Sequence, residues 1–339
     1  MAGSGPIFIG GLDRCGKTTL RAFLQSHPNI SIPAVGSNMW TYFYGQYGDL
    51  NQPENFERCL NEMLHYKHVK FLEPDVDRLR QEFWHGERTY ARLFALFQQH
   101  HAEKEGKPRW GDQTGVIERY ADKIFAAYPD ARMLHMIRDP RDRYAGSLAL
   151  WPDGKARAGG AVARWFYTTI LANRNLKKYP GRYMTVKFED MVYETEKTIR
   201  EVCAFLGEDF YPEILGMPGA LEHRDKLIRR SHGDSDAYPL SPQFIGIYHQ
   251  EVPIQETSFM QNIARRSLQQ FGYACEPIKF SLLEWVRYAI ITWPLNFARM
   301  VIWLAIELIQ HNLPSRFGRK PGKNMILNTT GEKSGVAKA

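Results

Sequence analysis

Residues 6–20 read Pro6-Ile-Phe-Ile-Gly-Gly11-Leu-Asp-Arg-Cys-Gly16-Lys17-Thr18-Thr19-Leu20. The apolar run Pro6–Gly11 has the pattern of a short buried strand. Gly11 to Thr18 fits the spacing G-x-x-x-x-G-K-S/T, and Thr18–Ser26 has helical spacing that Pro28 ends. A strand, a glycine loop and a helix in that order build a phosphate cradle. The glycines let successive N–H groups face inward, and the helix adds its positive N-terminal end. Lys17 brings a mobile charge, and Thr18 or Thr19 a hydroxyl.

Further strands are expected at Ile30–Ile32, Arg132–Ile137 and Arg182–Phe188. Helices are expected at Val116–Tyr128, Arg141–Leu150, Gly160–Lys178, Glu194–Leu206 (closed by Gly207) and Thr257–Phe271. This alternation predicts an α/β fold with a P-loop-like parallel sheet flanked by helices. Residues 36–107 interrupt it with aromatic and charged helical segments, Asn55–His65 and Gly86–Lys104 among them. They read as a helical insertion that carries substrate contacts. Asp209–Pro253 reads as loop. The expected organisation is an α/β domain over 1–275, a C-terminal helical segment over 276–313 and a basic, disordered tail over 314–339.

A chain of 339 residues with 44% hydrophobic and 24% charged residues is neither disordered nor a polytopic membrane protein. The net charge of +7 is uneven: residues 311–339 hold six basic residues and one acid. The basicity therefore belongs to the tail and gives no reason to expect nucleic-acid binding by the folded part. The four cysteines, at 15, 59, 203 and 275, have neither zinc-ligand nor disulfide-scaffold spacing. With no signal-peptide pattern at the N-terminus, a cytoplasmic chain is expected.

Two chemistries fit the cradle. A nucleoside-triphosphate enzyme needs a carboxylate for Mg²⁺ after a second apolar strand, and Asp139 is the candidate. But Arg138 precedes it, and an arginine at a strand end offers a fork to a phosphate. The motifs themselves resemble those of sulfotransferases that use 3′-phosphoadenosine 5′-phosphosulfate (PAPS), bacterial members in particular. Arg14-Cys-Gly-Lys-Thr-Thr-Leu20 is similar to their phosphosulfate loop, and Ser26-His-Pro-Asn-Ile30 follows as it does there. Their R-D-P-R-D strand end is matched by Arg138–Asp142 with Ser147 beyond. Val186–Met191 with Cys203–Gly207, and Trp110-Gly-Asp-Gln-Thr114, resemble two more of their elements.

The resemblance implies PAPS as donor, with contacts from Arg14, Cys15, Gly16, Lys17, Thr18, Thr19, Arg138 and Ser147, and no metal. It implies transfer to a hydroxyl of a small-molecule, lipid, glycolipid or carbohydrate acceptor. Lys17 stands where the family usually has Thr, Gln113 where it has Lys, and Ser147 one residue later than usual, after Gly146. Residues 31–38 lack the catalytic Glu of many eukaryotic relatives. Asp112 is therefore the first expectation for the base beside catalytic Lys17, followed by His65 and His68. An ATP-dependent P-loop kinase and a non-catalytic nucleotide-binding protein at a membrane stay as alternatives.

Phe280–Gln310 is apolar at helical spacing, with Trp285, Trp293 and Trp303. Arg287, Arg299 and Glu307 interrupt it, and Pro294 is expected to kink it. The uncharged runs fall short of the ~20 residues of a spanning helix. An amphipathic pair lying on an anionic membrane surface at its inner face is one expectation, helices packed on the domain or at a homodimer interface the other.

Overall fold

Five strands form one parallel sheet in the order β2-β3-β1-β4-β5: β1 Ile7–Gly11, β2 Ile30–Ser31, β3 Arg109–Gln113, β4 Arg132–Ile137 and β5 Tyr183–Lys187. This is a computed structural model, and it describes residues 5–148, 157–231, 240–312, 321 and 326. Strand β1 is buried along its whole length, as a central strand covered by helices on both faces must be. The chain crosses from β1 to β2 on one side and returns to β4 on the other. The C-terminal ends of β3, β1 and β4 therefore open at the point where strand order reverses, the place where open parallel sheets bind ligands.

The helices over 39–104 lie between β2 and β3 in sequence. Pro53–His65, Val76–His85 and Tyr90–Lys104 bury Phe56, Phe83, Phe94 and Phe97 in one cluster with Phe8 and Trp110 of the sheet. Phe56 and Phe83 stack with centroids 4.3 Å apart. On the other side, Arg157–Lys178 and Ile254–Gln270 pack together through Trp165, Phe259 and Met260. Gly207 closes helix Thr195–Leu206 in the left-handed conformation, as its position predicts.

Two expectations need correction. Residues 209–253 are not simply loop: short 3₁₀ turns at Pro212–Gly216 and Pro218–Ala220 lead into helix Leu221–Ser231. The stretch is too polar for its periodicity to show. The C-terminal segment, moreover, is a single helix from Leu282 to Asn312 rather than a broken pair. A π-helical turn at Tyr288–Thr292 sits just ahead of Pro294 and absorbs the N–H that proline lacks. The helix has 31 residues, and an 18-residue window of it reaches a mean hydropathy of 1.5, so by length and composition it is long and apolar enough to cross a membrane. The expected tail falls almost wholly outside the described residues; within them, Ile326 pairs with Tyr66 in an antiparallel bridge.

Candidate functional site

The loop after β1 is shaped by what surrounds its glycines. Gly11 has φ 115°, and a Cβ there would meet the Met136 carbonyl oxygen at 2.4 Å. Gly16 has φ 93°, and a Cβ would meet the Phe188 ring at 2.5 Å. Only glycine fits either position. Arg14 also takes a positive φ, 66°. Helix Lys17–Gln25 starts at Gly16 with no side-chain cap, so its first N–H groups are left for a ligand. Beneath the loop, the buried Glu118 carboxylate accepts the Gly11 N–H at 3.0 Å and the Thr168 hydroxyl at 2.5 Å. Sequence reasoning missed Glu118, which stands beside Arg119 and near Asp122 and Lys123 and so reads as one more surface charge.

This loop forms one wall of a groove of about 500 Å³, which Arg14, Gly16, Lys17, Thr18, Thr19 and Arg138 all line. The Lys17 ammonium is buried and donates to the Gly11 and Leu12 carbonyls at 2.9 and 2.6 Å. Thr18 is exposed to the groove, whereas the Thr19 hydroxyl pairs with His223 at 3.1 Å. Arg138, at the end of β4, donates to the Arg14 carbonyl at 3.0 Å and to the Phe244 carbonyl, and its guanidinium lies 4.4 Å over the Phe188 ring. Its Nε has no hydrogen-bond partner among the described residues. Burial lowers its proton affinity from that of an ordinary arginine. His223, Lys226 and Leu227 of helix Leu221–Ser231, together with Leu240 and Phe244, also line the groove.

The remaining loop residues behave differently. Cys15 points into the core, and burial pushes its thiol pKa up, so the side chain packs and only its backbone can face the groove. Ser147 is outside the groove lining, with its hydroxyl donating to the Arg143 carbonyl at 2.9 Å. Gly146 faces Arg14 instead, its notional Cβ 3.4 Å from Nε. One residue turns a helix by about 100°, which carries the Ser147 side chain away from the loop.

The opposite wall brings together Gly36, Asn38, His68 and Gln113. His68 Nδ1 lies 2.9 Å from the Gly36 carbonyl oxygen, which fixes the proton on Nδ1 and leaves Nε2 as an acceptor. Burial holds the His68 pKa below the ordinary histidine value. Gln113 Oε1 is buried without a hydrogen-bond partner among the described residues. Asp112 does not join them. Its carboxylate is 2% exposed and accepts from the Ser37 N–H at 3.1 Å, the Ser37 hydroxyl at 2.8 Å and the Thr114 hydroxyl at 3.0 Å. It faces away from the groove and braces the backbone that carries Asn38, so the geometry does not support it as the base. His65 is spent on the Asn61 carbonyl of its own helix, at 2.7 Å.

Asp139, the carboxylate a Mg²⁺-dependent enzyme would need, is gripped at two points by Arg141, at 3.0 and 2.6 Å. Asp142, next in the chain, accepts the Gly246 and Tyr248 N–H groups. Glu189 does brace its loop, accepting the Asp139 N–H at 2.9 Å and the Tyr273 hydroxyl at 3.0 Å. No group of three His, Cys, Asp or Glu is placed to hold a metal among the described residues.

A second groove, of about 820 Å³, shares no lining residue with the first. Trp40, Tyr44, Tyr90, Trp110 and Tyr128 line it, and the Lys123 ammonium lies 4.4 Å over the Tyr44 ring. The aromatic stretch 39–47 thus divides: Trp40 and Tyr44 reach this groove, while Phe43 and Tyr47 are core.

Comparison with known proteins adds the following. A family model described as "Sulfotransferase family" matches residues 6–213. The sulfotransferase domain of the Synechococcus PCC 7002 olefin synthase superimposes with a TM-score of 0.52 at 17% identity, covering 80% of this chain and 95% of that one. A sulfotransferase domain from the curacin biosynthetic pathway gives 0.49 at 15% identity, covering 80% and 99%. The sulfotransferase STF9 of Mycobacterium avium gives 0.45 at 13%, covering 82% and 79%. At these identities the likeness is one of fold.

Proposed function

The chain belongs to the sulfotransferase family, and from that premise we propose that it moves a sulfuryl group from PAPS to a hydroxyl of an acceptor held at a membrane surface. The observation that carries the donor half is the joint lining of one groove by the glycine loop, Lys17 and Arg138. The groove suits a nucleotide with two phosphate positions. Gly16 lets the loop pass the Phe188 ring, which a Cβ would strike, and the buried Arg138 Nε has no hydrogen-bond partner among the described residues.

PAPS supplies a sulfuryl group activated by its bond to a phosphate. The loop N–H groups and the Lys17 ammonium would hold the charge that grows on the bridging oxygen as this bond breaks. Arg138 would take the 3′-phosphate as a fork. His68 Nε2, across the groove, would accept the acceptor hydroxyl's proton, and its depressed pKa keeps it neutral and ready at pH 7. Asp112 supports that wall indirectly through Ser37.

The membrane half is supported by the helix Leu282–Asn312. It turns Asn296, Met300 and Glu307 toward the domain and leaves Leu282, Leu283, Ile290, Val301, Ile302 and Leu308 exposed, Leu283 at 79%. A helix anchored by its polar residues with an apolar face outward is suited to lie in a bilayer interface. A lipid or glycolipid hydroxyl is then the natural acceptor.

Calorimetric titration with 3′,5′-bisphosphoadenosine (PAP) and with ATP plus Mg²⁺ tests the donor: PAP should bind and transfer should survive chelation. ATP turnover abolished by chelator and rescued by Mg²⁺ would overturn the reading. Transfer of radiolabelled sulfate from PAPS into a membrane lipid extract tests the acceptor. Label found only in water-soluble products would overturn the lipid assignment.

A further inference from the structure

Glu307 is a buried acid, 1% exposed, in the apolar stretch Met300–Ile309 of the C-terminal helix. Removing a carboxylate from water costs several kcal/mol unless it is paired. Here two arginines pair with it. Arg119 meets Oε2 at 2.5 Å, and Arg164 Nε approaches Oε1 at 3.4 Å. Arg164 also reaches forward: its NH2 lies 3.6 Å from Asp13 Oδ2. Asp13 stands inside the glycine loop and lines the donor groove, with its other oxygen 4.0 Å from the Lys17 ammonium. Glu307, Arg164, Asp13 and Lys17 thus follow one another at 3.4, 3.6 and 4.0 Å from the C-terminal helix to the ammonium of the loop.

We propose that Glu307 is a positioning residue for the donor loop: it seats Arg164 on Asp13, so that docking of the C-terminal helix sets how the loop receives its nucleotide. The reasoning rests on the donor reading above and is electrostatic. Asp13 presents a negative charge to an anionic donor, and Arg164 offsets that charge. Arg164 keeps its seat because Glu307 balances it against Arg119, and against Arg143, which also feels its charge. With Glu307 neutral, Arg119 and Arg164 lose the carboxylate between them, Arg143 still repels Arg164, and only the half-exposed Asp13 carboxylate, 3.6 Å away, is left to hold it. Arg164 then shifts away from Asp13, and the Asp13 charge, less offset, repels the nucleotide and draws Lys17 more strongly.

The test is a double-mutant cycle in the full chain, with Glu307→Gln and Asp13→Asn alone and together, reading PAP affinity by calorimetry and the melting temperature alongside. Glu307→Gln should weaken PAP binding about three- to tenfold. In the Asp13→Asn background the same substitution should change PAP affinity less than twofold, because the charge it exposes is gone. A purely structural role would give the same loss in both backgrounds, and that result overturns the proposal. So does an unchanged PAP affinity in Glu307→Gln. Should Glu307→Gln not fold, Arg164→Lys replaces it in the cycle, keeping the charge and losing the fork. Wild-type protein that binds no PAP overturns the donor reading and this link together. PAP binding without the cycle's coupling overturns the link alone.

Discussion

Replacing Arg138 by Ala is the most informative perturbation of the donor site, provided its effect is read as a ratio. Arg138 is 7% exposed, and its guanidinium donates to the Arg14 and Phe244 carbonyls and lies over the Phe188 ring. Truncation strips both carbonyls of a donor, so it loosens the loop and the segment at Phe244 whatever nucleotide is present. That general loss falls equally on PAP and on adenosine 5′-monophosphate, which lacks the 3′-phosphate. The specific loss falls on PAP alone. A hydrogen bond to a charged group contributes about 1.5–3 kcal/mol, and each 1.4 kcal/mol is tenfold in Kd. PAP affinity should therefore fall about 10- to 150-fold more than that of the monophosphate. Arg138→Lys should recover only part of the difference, because a point charge replaces a planar fork. Calorimetry of both nucleotides with wild type and both variants supplies the ratio, and thermal melts verify folding. Equal losses for the two nucleotides in Arg138→Ala would refute the assignment and leave Arg138 as a brace between the loop and Phe244.

His68→Gln should cost ~10²–10⁴ in kcat once an acceptor is in hand, whereas Asp112→Asn should lower the melting temperature and slow transfer less than tenfold; the reverse ranking in steady-state assays would restore Asp112 as the base. Because burial depresses the His68 pKa, its neutral form is favoured in the folded protein. Its contribution to stability is therefore complete above its ordinary pKa and lost as pH falls through the folded value, and the acid limb of the kcat profile should lie below about 6.5; a limb that survives in His68→Gln belongs to another group. Full-length protein should co-sediment with anionic vesicles, in part resisting 1 M salt, where screening shortens to about 3 Å, and Leu283→Glu with Ile290→Glu should abolish the salt-resistant part; folded wild type left in the supernatant at low salt would rule out the membrane contact.

The stretch 6–20 was enough to place the first strand, the glycine loop and the helix behind it, because each rests on local rules. Apolar runs of strand length, glycines where a Cβ would strike Met136 or Phe188, and Pro28 after a helix are all written in neighbouring residues. The order of motifs through Arg138 and Gly207 was legible for the same reason, and with it the parallel α/β class. What depends on distant parts of the chain was not. Asp112 and His68 look alike on paper as bases near a probable site. Their roles separate only when Ser37 folds over one and Gly36 turns the other's Nδ1 inward, since a carboxylate's function is set by which donors surround it. Helix Leu221–Ser231 carried no periodic signal, yet it lines the groove with His223. The C-terminal segment was recognisable as apolar but not as one continuous helix. Its direction of facing was set by tertiary pairing: a single buried glutamate, held by arginines more than a hundred residues away, turns the polar side inward and leaves the leucines and isoleucines outside. Local propensity chose the elements, and long-range charge pairing and burial decided which side chains meet the ligand.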